Sequence, residues 1–82
     1  MKPTDPNELL RRIRVDPEVM LGKPVIRGTR ITVEILLEKL ASGAPIEDVL
    51  TDYPDLERED VLAALVYARR AVGTDELIPE PA

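Results

Sequence analysis

Apolar residues recur with helical spacing in the second half of the chain. The clearest run returns at i, i+3, i+4 and i+7, and it consists of Val33, Leu36, Leu37 and Leu40. Thr32, before the run, is a favourable N-cap residue, and Gly43, after it, is a favourable helix terminator. The pattern therefore predicts an amphipathic helix between these two residues.

Two more helices are predicted downstream. A short one opens at Pro45 and stops before Tyr53, because a residue that precedes proline is disfavoured in the helical region. A longer one begins at Glu57 or Arg58 and ends at Gly73. Its predicted inward stripe consists of Val61, Leu65, Ala68 and Val72. A short helix, a turn and a longer helix have the arrangement of a helix-turn-helix.

The first third of the chain follows a period of two instead. Residues 13–16 alternate apolar and charged side chains, which predicts a half-buried strand that pairs with Val25 and Ile26. After the strand, Pro17 breaks the extended pattern and predicts one helical turn that ends near Met20.

A tightly turned β-ribbon is predicted around Pro24, because Gly22 and Gly28 tolerate positive φ and proline fixes an extended entry. Arg27 and Arg30 flank its tip. Two guanidinium groups on a rigid ribbon suit phosphate or base-edge recognition, since each presents a planar fork of donors. The alternative is that they pair with nearby carboxylates.

These elements predict a mainly α domain. We expect a flexible tail over residues 1–8, a three-helix helix-turn-helix domain with an N-terminal β-ribbon over 9–73, and a flexible acidic tail over 74–82. A chain of 82 residues has a small core, which makes a homodimer a reasonable expectation.

Composition removes several kinds of chemistry. Cysteine and histidine are absent, and the aromatic residues are Tyr53 and Tyr67 alone. This excludes disulfides, thiol or Ser-His nucleophiles, zinc sites with Cys or His ligands, and an aromatic base-stacking platform. No stretch has the apolar length of a membrane span or a secretory signal. We expect a cytoplasmic protein without membrane contact, cofactor or small-molecule substrate.

Charge is distributed unevenly along the chain. The net charge is −5, yet residues 1–30 carry seven basic and four acidic side chains, whereas residues 31–82 carry four basic and twelve acidic ones. This asymmetry indicates one surface that can approach a polyanion and another that faces a cationic protein or water. Against DNA binding, the longest predicted helix begins with Glu57, Arg58, Glu59 and Asp60, and these carboxylates repel phosphates.

An enzyme is not expected. Six carboxylates of the helical half would have to meet around a metal ion, and these are Glu34, Glu38, Glu47, Asp48, Asp52 and Asp55. Helical spacing places Glu34 and Glu38 on the polar face opposite the leucines, as in an ordinary solvated surface.

Three segments together resemble the bacterial domain-of-unknown-function family numbered 433. They are Asp16-Pro17-Glu18-Val19-Met20, Gly22-Lys23-Pro24-Val25-Ile26-Arg27-Gly28-Thr29-Arg30-Ile31 and Asp52-Tyr53-Pro54-Asp55-Leu56. The second segment is the specific one, and the match covers about residues 13–72. Members of that family are similar to the antitoxin halves of VapBC-type pairs, with a homeodomain-like helix-turn-helix and a PIN-like nuclease encoded nearby. The resemblance implies a dimeric antitoxin or transcriptional regulator that binds its own promoter and a PIN-like toxin.

The resemblance supplies no binding residues, so candidates come from the residue types. The predicted DNA contacts are Lys23, Arg27, Thr29, Arg30, Arg58 and Tyr67. The predicted contacts with the toxin are Arg11, Arg12, Arg14, Leu77 and Ile78. The alternative hypothesis is a protein-interaction module in which the helix-turn-helix is a scaffold and the basic ribbon docks on an acidic partner without DNA.

Overall fold

A computed structural model of the chain describes residues 5–74, and the predicted tails at residues 1–4 and 75–82 lie outside this range. The described part is mainly helical, as predicted, with four α-helices and one two-stranded antiparallel sheet. In chain order the elements are α1 (Pro6–Leu10), β1 (Ile13–Arg14), a short 3-10 helix (Met20–Gly22), β2 (Val25–Ile26), α2 (Val33–Ala41), α3 (Ile46–Asp52) and α4 (Arg58–Thr74).

The first helix begins inside the segment predicted as a tail. The Asp5 carboxylate accepts a hydrogen bond from the backbone N–H of Asn7 at 2.9 Å, and Pro6 occupies the first helical position. A capping carboxylate followed by proline is a favourable helix start. Leu9 is buried, and Arg70 of α4 donates to Asn7 Oδ1 at 2.7 Å. Helix α1 therefore packs on α4, and the folded part starts before residue 9.

The sheet has the predicted pairing, with Ile13 opposite Ile26. Val25 also forms an isolated antiparallel bridge with Thr32, whose hydroxyl caps α2 by accepting from the N–H of Ile35 at 3.1 Å. Since Ile13, Val25 and Ile26 are all buried, the ribbon is packed into the core. What it leaves at the surface is its turn and the side chain of Arg14.

Local signals end the two middle helices where the sequence predicts. Gly43, at φ +97°, donates to the carbonyl of Leu40 at 3.0 Å, and Ala44 donates to the carbonyl of Lys39 at 3.2 Å. This pair of bonds is a Schellman motif, which closes α2. Helix α3 stops just before Tyr53, whose backbone is pushed out of the helical region by the following proline.

The inward face of α4 differs from the predicted stripe. Ala63 and Ala64 are fully buried, whereas Leu65 is 40% and Val72 is 61% exposed. Val61 of the predicted stripe is also fully buried, so the inward face combines Val61 with two alanines, whose small side chains let neighbouring helices approach closely. Gly73 does not end α4, because it lies within the helix without a positive φ.

A turn over residues 16–19, closed by the N–H of Val19 on the Asp16 carbonyl at 2.9 Å, lies where one helical turn is predicted, and a left-handed 3-10 turn, Met20–Gly22, follows it. Met20 has φ 49°, Leu21 has φ 59° and Gly22 has φ 81°. For a residue with a Cβ this conformation costs about 1–2 kcal/mol. Gly22 donates to the carbonyl of Val19 at 3.0 Å and Lys23 donates to that of Met20 at 3.1 Å. These bonds hold Leu21 outward, with 94% of its surface exposed.

Candidate nucleic-acid interface

The turn that joins β2 to Thr32, which we call the tip, consists of residues 27–30. The carbonyl of Ile26 accepts from the backbone N–H of Thr29 at 3.0 Å, and Gly28 has φ +81°, which favours glycine. The Thr29 hydroxyl donates to the same carbonyl at 2.7 Å and accepts from the N–H of Ile31 at 3.0 Å. Thr29 therefore stabilises the tip, and its hydroxyl is occupied within the chain.

Arg27 is held in place by backbone carbonyls. Its backbone N–H donates to the carbonyl of Arg12 at 2.7 Å, and its Nε donates to the carbonyl of Arg11 at 2.8 Å. The side chain forms no ion pair with a carboxylate of the described residues. Its terminal nitrogens are thus oriented and remain available to an anion.

Arg30 lies on the other side of the tip. Its exposed guanidinium has no hydrogen bond or ion pair within residues 5–74. It lines a cavity of about 340 Å³ with Arg14, Val19 and Thr29. Arg27 lines a different cavity, of about 510 Å³, with Arg11 and Glu59. The two arginines therefore flank the tip on separate sides.

Most other cations of the described range are neutralised. Five of them pair with carboxylates at 2.8–3.7 Å, and they are Arg12, Arg14, Lys23, Lys39 and Arg58. Arg11 and Arg69 are exposed and have no such partner within residues 5–74. The sequence left open whether the tip arginines pair with nearby carboxylates, and within residues 5–74 they do not.

The first turn of α4, residues 57–60, is built around a buried carboxylate. Asp60 accepts from the backbone N–H of Glu57 at 2.8 Å and pairs with Arg12 at 3.1 Å, while Glu57 pairs with the same guanidinium at 3.2 Å. Hydrogen bonding to Asp60, and then to Glu57, raises the pKa of Arg12 above its already strongly basic value. Arg12 is therefore charged at every ordinary pH, and it ties the chain after α1 to the start of α4.

The remaining predicted DNA contacts are not gathered at the tip. Lys23 pairs with Glu34 at 2.9 Å, and Arg58 lies 3.7 Å from a carboxylate oxygen of Glu47. Tyr67 is half-buried and lines two adjoining apolar grooves. The structure thus brings Arg27, Thr29 and Arg30 together and places the other three elsewhere.

The predicted toxin contacts are also separated. Arg12 and Arg14 are engaged with carboxylates, the latter with Asp16 at 2.8 Å. Arg11 keeps an exposed guanidinium beside Arg27. Leu77 and Ile78 lie outside the described residues.

Sequence reasoning missed two apolar features of the surface. One is the left-handed turn that exposes Leu21, for which the signal was a pair of large apolar residues before a glycine in a stretch without periodicity. The other is a pair of adjoining grooves of about 430 and 300 Å³ that share Tyr67 and Ala71. Their other apolar lining residues are Leu10, Ile13, Val15, Pro24, Val33, Leu37, Ala68 and Val72.

Within residues 5–74 no three His, Cys, Asp or Glu residues are grouped so that they could hold a metal ion. In the same range no helix combines the length and the apolar character required to cross a bilayer.

Fold and surface define a small, mainly helical domain with a two-stranded sheet and a cationic turn. Residues 13–68 match the family described as "Protein of unknown function (DUF433)", and the chain belongs to this family. The resemblance drawn from the three sequence segments is thereby confirmed.

Two relatives share this domain. The uncharacterized protein y4eO of Sinorhizobium fredii (strain NBRC 101917 / NGR234) is 36% identical over 52 residues, which cover 63% of this chain and 24% of that protein. This chain therefore spans about a quarter of the length of that relative. The crystal structure of a DUF433 member from Anabaena variabilis ATCC 29413 is similar with a TM-score of 0.73 and 35% identity, over 83% of this chain and 67% of that one.

Proposed function

We propose that the chain is a DNA-binding regulator of the antitoxin type, in which the tip supplies the main cationic contact with DNA. The order of helix α3, a turn and helix α4 supports a helix-turn-helix, for which we propose a homeodomain-like arrangement. In this proposal those helices are the scaffold that carries the tip. The target is the promoter of the protein's own gene.

One observation carries the proposal. In a chain of net charge −5, five of the eight other cations of residues 5–74 pair with carboxylates, whereas both tip arginines are exposed and lack carboxylate partners in that range. Neither guanidinium therefore has to break an ion pair within residues 5–74 before it contacts an anion. Arg27 is in addition pre-oriented by a carbonyl, which lowers the entropy lost on binding. Backbone phosphates of DNA are the matching anions.

The toxin and the dimer belong to the same proposal. The family resemblance implies a PIN-like toxin as partner, and a homodimer would present two tips to the two half-sites of a palindromic operator. Arg11 is the predicted toxin-contacting arginine that has no carboxylate partner within residues 5–74. It therefore remains the best candidate for entry into the acidic site of such a nuclease. The proposed location of this regulator is the cytoplasm.

A second candidate function is a protein-interaction module that does not bind DNA. The two grooves around Tyr67 favour it, because adjoining apolar surface of this kind is typical of protein-binding sites. The carboxylates in the first turn of α4 also favour the protein-interaction module. A helix-turn-helix reads the major groove with this turn, and carboxylates there repel the phosphates of DNA.

The test compares the double variant Arg27→Ala/Arg30→Ala with the wild type in retardation of the DNA fragment upstream of its gene. Each arginine contact is worth about 1–3 kcal/mol, so we expect the affinity to fall by roughly 30-fold or more. The slope of log affinity against log salt should become shallower by about two. Because Arg30 has no partner within residues 5–74 and Arg27 loses one exposed hydrogen bond to the Arg11 carbonyl, the melting temperature should fall by at most a few degrees.

Arg69→Ala is the matched control, since it removes an exposed arginine of α4 that has no partner within residues 5–74. This variant should bind the upstream fragment with at most a small loss of affinity. Unchanged affinity in the double variant would remove the tip from the mechanism. Phosphate contacts are strong at about 50 mM salt or below. If the wild type does not retard the upstream fragment under these conditions but binds the product of the neighbouring gene tightly, the protein-interaction module is the better description.

A further inference from the structure

We infer that the tip enters the minor groove of DNA and that Leu21 contacts the bases beside it as an apolar wedge. This inference rests on the proposed function and names the groove and a second contact. It follows from the shape of the tip, the chemistry of the first turn of α4 and the conformation around Leu21.

The tip is thin as well as cationic. Between the two arginines lie only Gly28, which has no side chain, and Thr29, whose hydroxyl is turned back onto Ile26 and Ile31. In the two strands behind it Ile13, Val25 and Ile26 are buried, and the one exposed side chain, Arg14, pairs with Asp16, so the ribbon offers no free face to lie along the major groove. An edge of this kind suits the minor groove, which is about 6 Å wide and attracts arginine where it is narrow.

Helix α4 does not compete for the DNA as a major-groove reader. Glu57 and Glu59 lie on its first turn, and Asp60 is fixed there by the Glu57 N–H and by Arg12. Since this carboxylate also caps the helix, it cannot swing away from an approaching phosphate without opening the helix start. The electrostatics therefore favour approach by the tip and disfavour approach by α4.

Leu21 supplies the second element of minor-groove binding. It belongs to the turn after β1, and Val19 of this turn lines the same cavity as Thr29 and Arg30. Both Met20 and Leu21 adopt positive φ, so the chain keeps a strained backbone that presents a leucine with 94% of its surface exposed. Proteins that bind the minor groove commonly combine arginines with an apolar side chain inserted at a base step.

The experiment uses the full chain and 30-bp duplexes that carry either a central A·T tract or a G·C-rich centre, labelled at both ends so that energy transfer reports bending. Netropsin competes for the minor groove and methyl green for the major groove. We expect the A·T duplex to bind about tenfold more tightly. Netropsin should displace the protein, methyl green should not, and the bound duplex should be bent.

Leu21→Ala isolates the wedge, and Leu65→Ala is its matched control, because Leu65 is an exposed leucine of α4. We expect Leu21→Ala to lose most of the bend and about fivefold in affinity, whereas Leu65→Ala retains both. Neither change should lower the melting temperature by more than a few degrees, about what an exposed side chain contributes.

The outcomes separate the two proposals. If the wild type binds neither duplex nor the upstream fragment at low salt, the proposed function itself fails. If it binds DNA but is displaced by methyl green and not by netropsin, the function stands and the minor-groove inference is wrong. An unchanged bend in Leu21→Ala would remove the wedge.

Discussion

The tip and the first turn of α4 lie around the same cavity, yet they use charge in opposite ways. Arg27 from the tip and Glu59 and Asp60 from α4 line this cavity of about 510 Å³. Arg27 donates to a backbone carbonyl and Arg30 has no partner among the described residues. Asp60, in contrast, accepts from a backbone N–H and pairs with Arg12. Charge counted along a sequence is therefore a poor guide to the charge that a ligand meets.

This difference separates stability from binding. Removing a side chain that is bonded into the fold leaves buried polar groups without partners, and that lowers the free energy of unfolding. Removing an exposed side chain that has no partner leaves the fold unchanged and affects only what binds from outside. Substitutions in the two regions should consequently have effects of different kinds.

The largest expected effect is on stability, from Asp60→Ala. This change removes the acceptor of the Glu57 N–H and the nearer carboxylate of Arg12. Hydrogen bonds to charged groups are worth about 1.5–3 kcal/mol, so the free energy of unfolding in urea should fall by about 2–3 kcal/mol. DNA affinity, measured where the variant is still folded, should not fall.

Glu59→Ala is the control for this change, since Glu59 is the adjacent carboxylate and has no hydrogen bond or ion pair within residues 5–74. Its unfolding free energy should stay within about 0.5 kcal/mol of the wild type. Equal losses in the two variants would show that the network around Arg12 does not hold the start of α4.

A smaller effect is expected from Gly28→Ala, and Gly43→Ala is its natural counterpart. Both glycines have positive φ, 81° and 97°, and neither has an atom near the position of an added Cβ. Each change should therefore cost about 1–2 kcal/mol of unfolding free energy through backbone strain alone. Only Gly28→Ala should also weaken DNA binding, because it distorts and thickens the tip, whereas Gly43 lies at the end of α2.

The measurement is urea unfolding of both variants together with retardation of the upstream DNA fragment. If Gly43→Ala weakened DNA binding as much as Gly28→Ala did, general loss of stability and not tip geometry would explain the result. Binding would then no longer distinguish the tip from the rest of the fold.

Features set by neighbouring residues could be predicted from the sequence. Thr32 marks the start of α2 and Gly43 marks its end. The pairing of β1 with β2 follows from the period-two alternation in the first strand. In each case the residues that determine the structure lie within a few positions of it, or share a pattern that one face of a sheet imposes. The family assignment was equally local, because one segment between Gly22 and Ile31 carries it.

Features set by distant contacts could not be predicted. Arg12 and Asp60 are 48 positions apart, and nothing in either neighbourhood indicates that they meet. The left-handed backbone of Leu21 is also non-local, because side-chain preference opposes it and surrounding contacts must maintain it. For the candidate site the sequence identified the tip arginines, and only the structure showed which cations were already paired.

The smallest expected effect tests whether the two regions influence each other. Glu59→Gln removes one negative charge beside Arg27 and keeps the shape of the side chain. Since exposed charges interact weakly through water, we expect DNA affinity to rise by only about two- to threefold at low salt and the gain to disappear near 0.3 M salt. Glu38→Gln on α2 is the control, because it removes the same charge from an exposed glutamate outside that cavity. A tenfold gain from Glu59→Gln would mean that the start of α4 lies much closer to the phosphates than a tip-first approach allows.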